Sequence, residues 1–171
     1  MSHVVSLELL LDAAADAAVR SEWNLLAAAG LPSQAHHTGE TNSPHITLLV
    51  RSTLPEIDAT AVRPMLPLAL TLGAPVLFGS GRTRVVARSV VPSSALLELH
   101  TSVHTLAGPG DDVAHTRPGA WSPHVTLARR VPLDRIGAAL DALSGGGGDL
   151  PARATAIRRW DAALKTVTFV A

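Results

Sequence analysis

The hexapeptide Ser-Pro-His-aliphatic-Thr-Leu occurs twice in this 171-residue chain, at residues 43–48 and again at 122–127, and the copies differ only by Ile46 against Val125. One copy lies in each half, so any fold must place two equivalent strands. Side chains on a strand alternate between faces, so His45 and Thr47 share one face while Ile46 points to the other. His124, Thr126 and Val125 repeat that arrangement. Each copy offers an imidazole and a hydroxyl backed by an aliphatic residue that can enter a core. Two such strands facing one another would bring both imidazoles and both hydroxyls into one cleft, which is enough for acid–base attack on a phosphate ester.

Hydrophobic residues make up 47% of the chain and charged residues 16%, a balance that favours a packed globular protein over disorder. The length suits a single domain, residues 1–171, with one motif in each of two lobes. No apolar run is long enough to cross a membrane, and residues 1–6 show neither a basic nor an apolar leader region. Cysteine is absent, which excludes disulfides, thiolate catalysis and Cys-ligated zinc and fits a reducing cytoplasm. The formal net charge is zero. Proteins that coat long nucleic acids carry a basic excess, so a neutral chain points to a small ligand or to the end of an RNA. Lys165 is the only lysine; the remaining basic side chains are arginines, which grip phosphate as planar forks.

Residues 4–11 read as a central strand because they are apolar nearly throughout. Asp12 caps a helix on which Val19, Trp23 and Leu26 recur at helical spacing before Gly30 and Pro32. A polar loop, 33–43, feeds the first motif strand, 45–51. Residues 54–66 hold a short helix broken by Pro64. Strand pieces follow at 68–72 and 76–78, then a turn at 79–81 and a strand at 84–91. Residues 92–94 open a second helix, 95–106, with Leu96, Leu99, Val103 and Leu106 on its apolar face. A loop, 108–119, leads to the second motif strand, 124–131. A third helix covers 133–143, a flexible glycine run lies at 145–148, and strands at 154–160 and 164–170 close the chain. The order contains an approximate duplication, for each motif strand follows a helix and a polar loop. Ala35-His36 and Ala114-His115 sit at the same offset before their motif histidines. Mainly antiparallel sheets with helices outside, an α+β fold, are the expected architecture.

His100 and His104 share a helix face at i, i+4. That spacing suits a metal, but no carboxylate completes the set nearby, so a solvated polar face is the expected reading. Arg82, Arg84 and Arg88 alternate on one strand face, either as an RNA guide or as a solvated surface. Trp121, three residues before His124, offers a platform for a base. Strict alternation puts Arg130 on the face of His124 and Thr126.

With one His-x-Thr strand per half, the chain resembles the 2H phosphoesterase superfamily, and within it the branch of 2′-5′ RNA ligases and RNA 2′,3′-cyclic phosphodiesterases. The segment 124–129, His-Val-Thr-Leu-Ala-Arg, carries the closer resemblance, because that branch often has an arginine five residues after the histidine. Residues 81–86, Gly-Arg-Thr-Arg-Val-Val, followed by a leucine-rich helix, are also similar to the family. Where family members often have Phe-Leu-Gly after the first motif, this chain has Leu49-Val50-Arg51, and its first strand lacks an aromatic. The resemblance implies a bilobal α/β sandwich with pseudo-two-fold symmetry around a central cleft. It implies His45 and His124 as the acid–base pair, with Thr47, Thr126 and Arg129 on the phosphate oxygens. It also implies hydrolysis of 2′,3′-cyclic phosphates to 2′-phosphates without a metal or other cofactor, with 2′-5′ ligation as the reverse. The substrate would be an RNA end or a small cyclic nucleotide, and no protein partner is called for. A non-catalytic RNA- or nucleotide-binding module of the same fold is the alternative.

Overall fold

The computed structural model describes residues 4–146 and 148–171; Met1–His3 of the N-terminus and Gly147 of the glycine run lie outside the described residues. β1 (Val5–Leu11) leads directly into α1 (Ala13–Ala28), whose first amides are capped by Asp12, with Oδ1 accepting from Ala14 N and Ala15 N at 3.1 Å. Ala15, Val19, Trp23 and Leu26 are the buried face of α1, spaced as a helix packed on a sheet requires. β2 (His45–Arg51) returns antiparallel to β1. β3 (Leu68–Phe78) and β4 (Thr83–Val90) form a hairpin. α2 (Ser94–Ala107) is capped by Ser93 and ends at Gly108, whose φ of 64° suits a residue without Cβ. β5 (His124–Pro132), α3 (Ile136–Leu143), β6 (Leu150–Asp161) and β7 (Thr166–Phe169) complete the chain.

The strands form one antiparallel sheet in the order β1-β2-β5-β4-β3-β6-β7, and β6 also pairs with β1, closing a ring. The duplication read from the sequence is visible in it. The unit β1-α1-β2 repeats as β4-α2-β5, and β6 lies against β1 as β3 lies against β4. The turns Gln34–His36 and Ala114–Thr116 take the same place in the two units, each a single 3-10 turn before the motif strand. Both motif strands carry a bulge at the same residue. Pairing with β1 skips Leu48, and pairing with β4 skips Leu127. Each skipped leucine is fully buried beside another buried residue, Leu49 or Ala128, as an inserted residue allows.

Three expectations are corrected. Residues 54–66 form no α-helix but two 3-10 turns, Ala59–Ala61 and Arg63–Met65, because Pro55 and Pro64 leave too few amide donors for a helical ladder. The pieces expected at 68–72 and 76–78 are one strand, irregular between Leu72 and Pro75, which is how a strand accommodates proline. His100 and His104 are buried, 2% and 9% exposed, rather than solvated. His100 Nε2 lies 3.0 Å from the carbonyls of both Leu48 and Thr116, and His104 Nε2 lies 3.2 Å from that of Leu48. They therefore cap the bulged backbone of β2. Among the described residues no three metal-ligating side chains are gathered together, and no helix is long and apolar enough to cross a membrane.

Two of the arginines pack inside the fold between distant elements. Arg88 is buried against Glu22, with Nε at 2.9 Å and Nη2 at 2.5 Å from Oε1, and donates to the carbonyls of Gly73 and Gly148. Neither an RNA guide nor a solvated face describes it. Arg51 grips Asp112 at 2.6 Å and the carbonyls of Ala107 and Gly108 at the end of α2. A Cβ added at Gly110 would fall 2.6 Å from Arg51 Cζ, so that position excludes any side chain.

β2 and β5 touch through a single ladder pair, Ile46 with Val125. Two indoles reinforce the contact crosswise: Trp23 Nε1 donates to Thr126 O at 3.0 Å, and Trp121 Nε1 donates to Thr47 O at 2.9 Å. Trp23→Phe and Trp121→Phe should each lower stability by about 1–3 kcal/mol, read from urea denaturation midpoints at constant slope. Burial, aided by His104, pushes the His100 imidazole down to about 4. It stays neutral in the fold while the unfolded ring protonates near the ordinary value of about 6.5. Its stabilising contribution is therefore complete above about pH 6.5 and drains away as the pH falls toward 4. His100→Gln, which keeps a donor but cannot titrate, should flatten the fall in urea midpoint between neutral and mildly acidic pH.

Candidate active site

The motif alternation does what the sequence requires of it. Ile46 and Val125 are fully buried, and His45, Thr47, His124 and Thr126, on the other face, are all partly exposed. One step either way from the Ile46–Val125 pair sets His45 across from Thr126 and Thr47 across from His124. Each imidazole thus faces the threonine of the opposite half. The two rings are anchored identically. His45 Nδ1 lies 2.7 Å from Ser43 O, and His124 Nδ1 lies 2.7 Å from Ser122 O. A carbonyl can only accept, so Nδ1 carries a proton in both rings, and in the neutral form Nε2 holds the free lone pair.

The surroundings differ. Glu8 Oε1, on β1, is 3.6 Å from His45 Nε2. The His124 ring instead lies 4.5 Å, centroid to centroid, from that of Phe78. Burial holds His124 below the ordinary imidazole range, and His115, His45 and Arg129 push it the same way by charge.

Cavities open on both sides of the motif strands. On the His45 side a space of about 570 Å³ is walled by Glu8, His36, His37, Arg158, Trp160 and Lys165. On the His124 side a space of about 600 Å³ is walled by Phe78, Val85, His115, Ala120, Thr126 and Arg129. A smaller pocket of about 120 Å³ is lined from both halves, by Trp23 and His45 together with Thr126 and Arg129. The histidine of each 3-10 turn, His36 or His115, lines the cavity beside its own motif.

Both arginines are exposed, but Arg129 lines two of these cavities with Thr126, whereas Arg130 takes a φ of 58° and lines none of the three. The register slips between Arg84 and Val86 opposite this point. That second irregularity turns the first arginine, not the second, onto the motif face. Of the two threonines, Thr126 borders two of the three cavities and Thr47 none of them. Trp121 stacks on His100, with centroids 3.9 Å apart and planes at 3°, and its nitrogen is bound to Thr47 O. One face and its donor are thus taken up within the protein, and the ring against His124 is Phe78.

Glu8 and Arg158 escaped the sequence reading. The signal was present, for Glu8 stands alone as a carboxylate in an otherwise apolar strand run, and a carboxylate in a central strand demands a partner. That partner, Arg158, lies far along the chain, with Nε 2.8 Å from Oε2.

Two half-sites related by a pseudo-two-fold, each carrying one His-x-Thr strand, are the arrangement of the two-histidine phosphoesterases. Residues 12–165 match the 2′-5′ RNA ligase superfamily, and the chain belongs to that family. Among solved structures it is similar to Usb1 of Kluyveromyces marxianus with uridine monophosphate, at 11% identity and a TM-score of 0.56 over 99% of this chain and 98% of that one. Usb1 of the same organism without the nucleotide also scores 0.56, at 10% identity and the same coverage. At this identity the likeness is one of fold. No curated protein matches the chain in sequence.

Arg129→Ala should weaken binding of inorganic phosphate by about 10- to 100-fold, the size of a lost charge-assisted hydrogen bond. Arg130→Ala should leave it within about twofold. Isothermal titration calorimetry with phosphate separates the two; equal losses would remove the special place of Arg129.

Proposed function

We propose that the protein hydrolyses 2′,3′-cyclic phosphates, at RNA ends or on nucleotides, to 2′-phosphates without a metal ion, with 2′-5′ ligation as the reverse reaction. The observation that carries this reading is the matched pair of imidazoles, each fixed through Nδ1 by a carbonyl so that Nε2 is free to exchange a proton. Opening a cyclic phosphate is an in-line displacement. Water attacks phosphorus from one side and the ribose oxygen leaves on the other. One ring takes the water's proton while the other, protonated, donates to the leaving oxygen. The ordinary pKa of histidine, about 6.5, lets both forms coexist near neutrality.

Negative charge grows on the non-bridging oxygens as water adds. Thr126, Thr47 and Arg129 are the donors for them; losing one such donor typically costs on the order of 10²–10³ in rate. Phe78, beside His124, and Trp160, in the His45 cavity, are the flat apolar surfaces available to a base. A base stacked on an aromatic ring typically gains about 1–3 kcal/mol.

The test is incubation with 2′,3′-cyclic UMP in EDTA, with the 2′-monophosphate followed by chromatography. His45→Ala and His124→Ala should each reduce kcat by about 10²–10⁴ with unchanged circular dichroism. Near-normal turnover in either variant would remove the two-histidine mechanism.

A further inference from the structure

The two halves share a hexapeptide, a bulge and an Nδ1 anchor, but not the residue beside the imidazole. Glu8 of β1 pairs with Thr47, and the equivalent position of β4, paired with Thr126, is Ala87. Glu8 is 4% exposed. Its Oε1 accepts from Ser6 Oγ at 2.7 Å and its Oε2 from Arg158 Nε at 2.8 Å, and Oε1 faces His45 Nε2 at 3.6 Å. That last separation is too long for a hydrogen bond. It places a carboxylate next to the ring without engaging Nε2 in a hydrogen bond. The other ionisable groups bordering His45 are Arg158 from β6, Lys165 from the turn before β7, Arg129 from β5, and His36 and His37 from the loop before β2. Glu8 is the one carboxylate among them. Among the described residues no carboxylate lines the His124 cavity; the ring lies against Phe78, and burial favours its neutral form.

Resting on the phosphodiesterase reading above, we propose that Glu8 sets the direction of the displacement. It balances the charge of protonated His45, which gives its Nε2 proton to the leaving oxygen, while neutral His124 draws the proton from the attacking water. The water oxygen bonds to phosphorus as the opposite P–O bond breaks. His124 ends protonated and His45 neutral, and exchange with solvent resets the pair. The leaving oxygen departs on the His45 side, so the cavity of about 570 Å³ walled by Trp160 and Lys165 takes the leaving group. Glu8 acts through His45 and is a positioning residue.

A leaving group that needs no proton tests this. The wild type, His45→Ala, His124→Ala and Glu8→Gln are compared on 2′,3′-cyclic UMP, which expels an alkoxide, and on thymidine 5′-p-nitrophenyl phosphate, which expels a stable phenolate. On the cyclic ester His45→Ala should lose about 10²–10⁴ in kcat and Glu8→Gln at least about tenfold. On the aryl ester both should recover to within about threefold of wild type, whereas His124→Ala stays impaired on both. Glu8→Asp, which keeps the carboxylate, should restore kcat on the cyclic ester to within about threefold of wild type. Because Glu8→Gln strands the buried charge of Arg158, the double variant Glu8→Gln/Arg158→Gln is measured beside it and should show the same ester dependence. Equal losses on both esters would make Glu8 purely structural, and recovery at His124 instead of His45 would reverse the direction; either overturns the proposal. Wild-type inactivity on both esters would overturn the phosphodiesterase reading itself, and the assignment with it.

Discussion

The site depends on a seam one ladder pair wide. β2 and β5 meet only at Ile46 and Val125, yet that pair sets the spacing of everything chemical around it. Moving outward by one residue gives the two imidazole–hydroxyl pairs, and moving inward gives buried aliphatic side chains that lock the face. So short a ladder would define the spacing poorly by itself. The indoles of Trp23 and Trp121 hold it by reaching across to the threonine carbonyl of the opposite motif. Each half therefore helps to position the other's motif strand.

Much of this was legible in the chain. The repeated hexapeptide specified the two strands and which residues face inward, because a period of two leaves little choice once Ile46 and Val125 must be inside. The cap at Asp12 and the opening of α2 at residues 92–94 were equally readable, since each follows from local backbone chemistry. What could not be read depended on long-range pairing. His100 and His104 sit on a helix face that looks polar in sequence, and only the carbonyls of Leu48 and Thr116 make it an inside face. Trp121 looked like a free ring until His100 covered one side of it.

Alternation also failed at the arginines, and instructively. It assigns Arg130 to the motif face, but a left-handed residue and a slipped register put Arg129 in the cavities instead. Family spacing had pointed to Arg129, and the irregular strand supplies the physical reason. Three of the arginines, Arg51, Arg88 and Arg158, are buried. Each joins a carboxylate to backbone carbonyls from a distant element. A planar fork can satisfy both kinds of acceptor at once, and an ammonium does so less well.

The bulges at Leu48 and Leu127 carry a further consequence. An extra residue absorbed at the same point in both motif strands fixes the phase of each strand against its neighbour. Exchanging a side chain there disturbs packing, but deleting or inserting one residue would rotate every following position by half a turn of the pleat. The Thr-Leu junction should thus be among the places in this chain least able to change length.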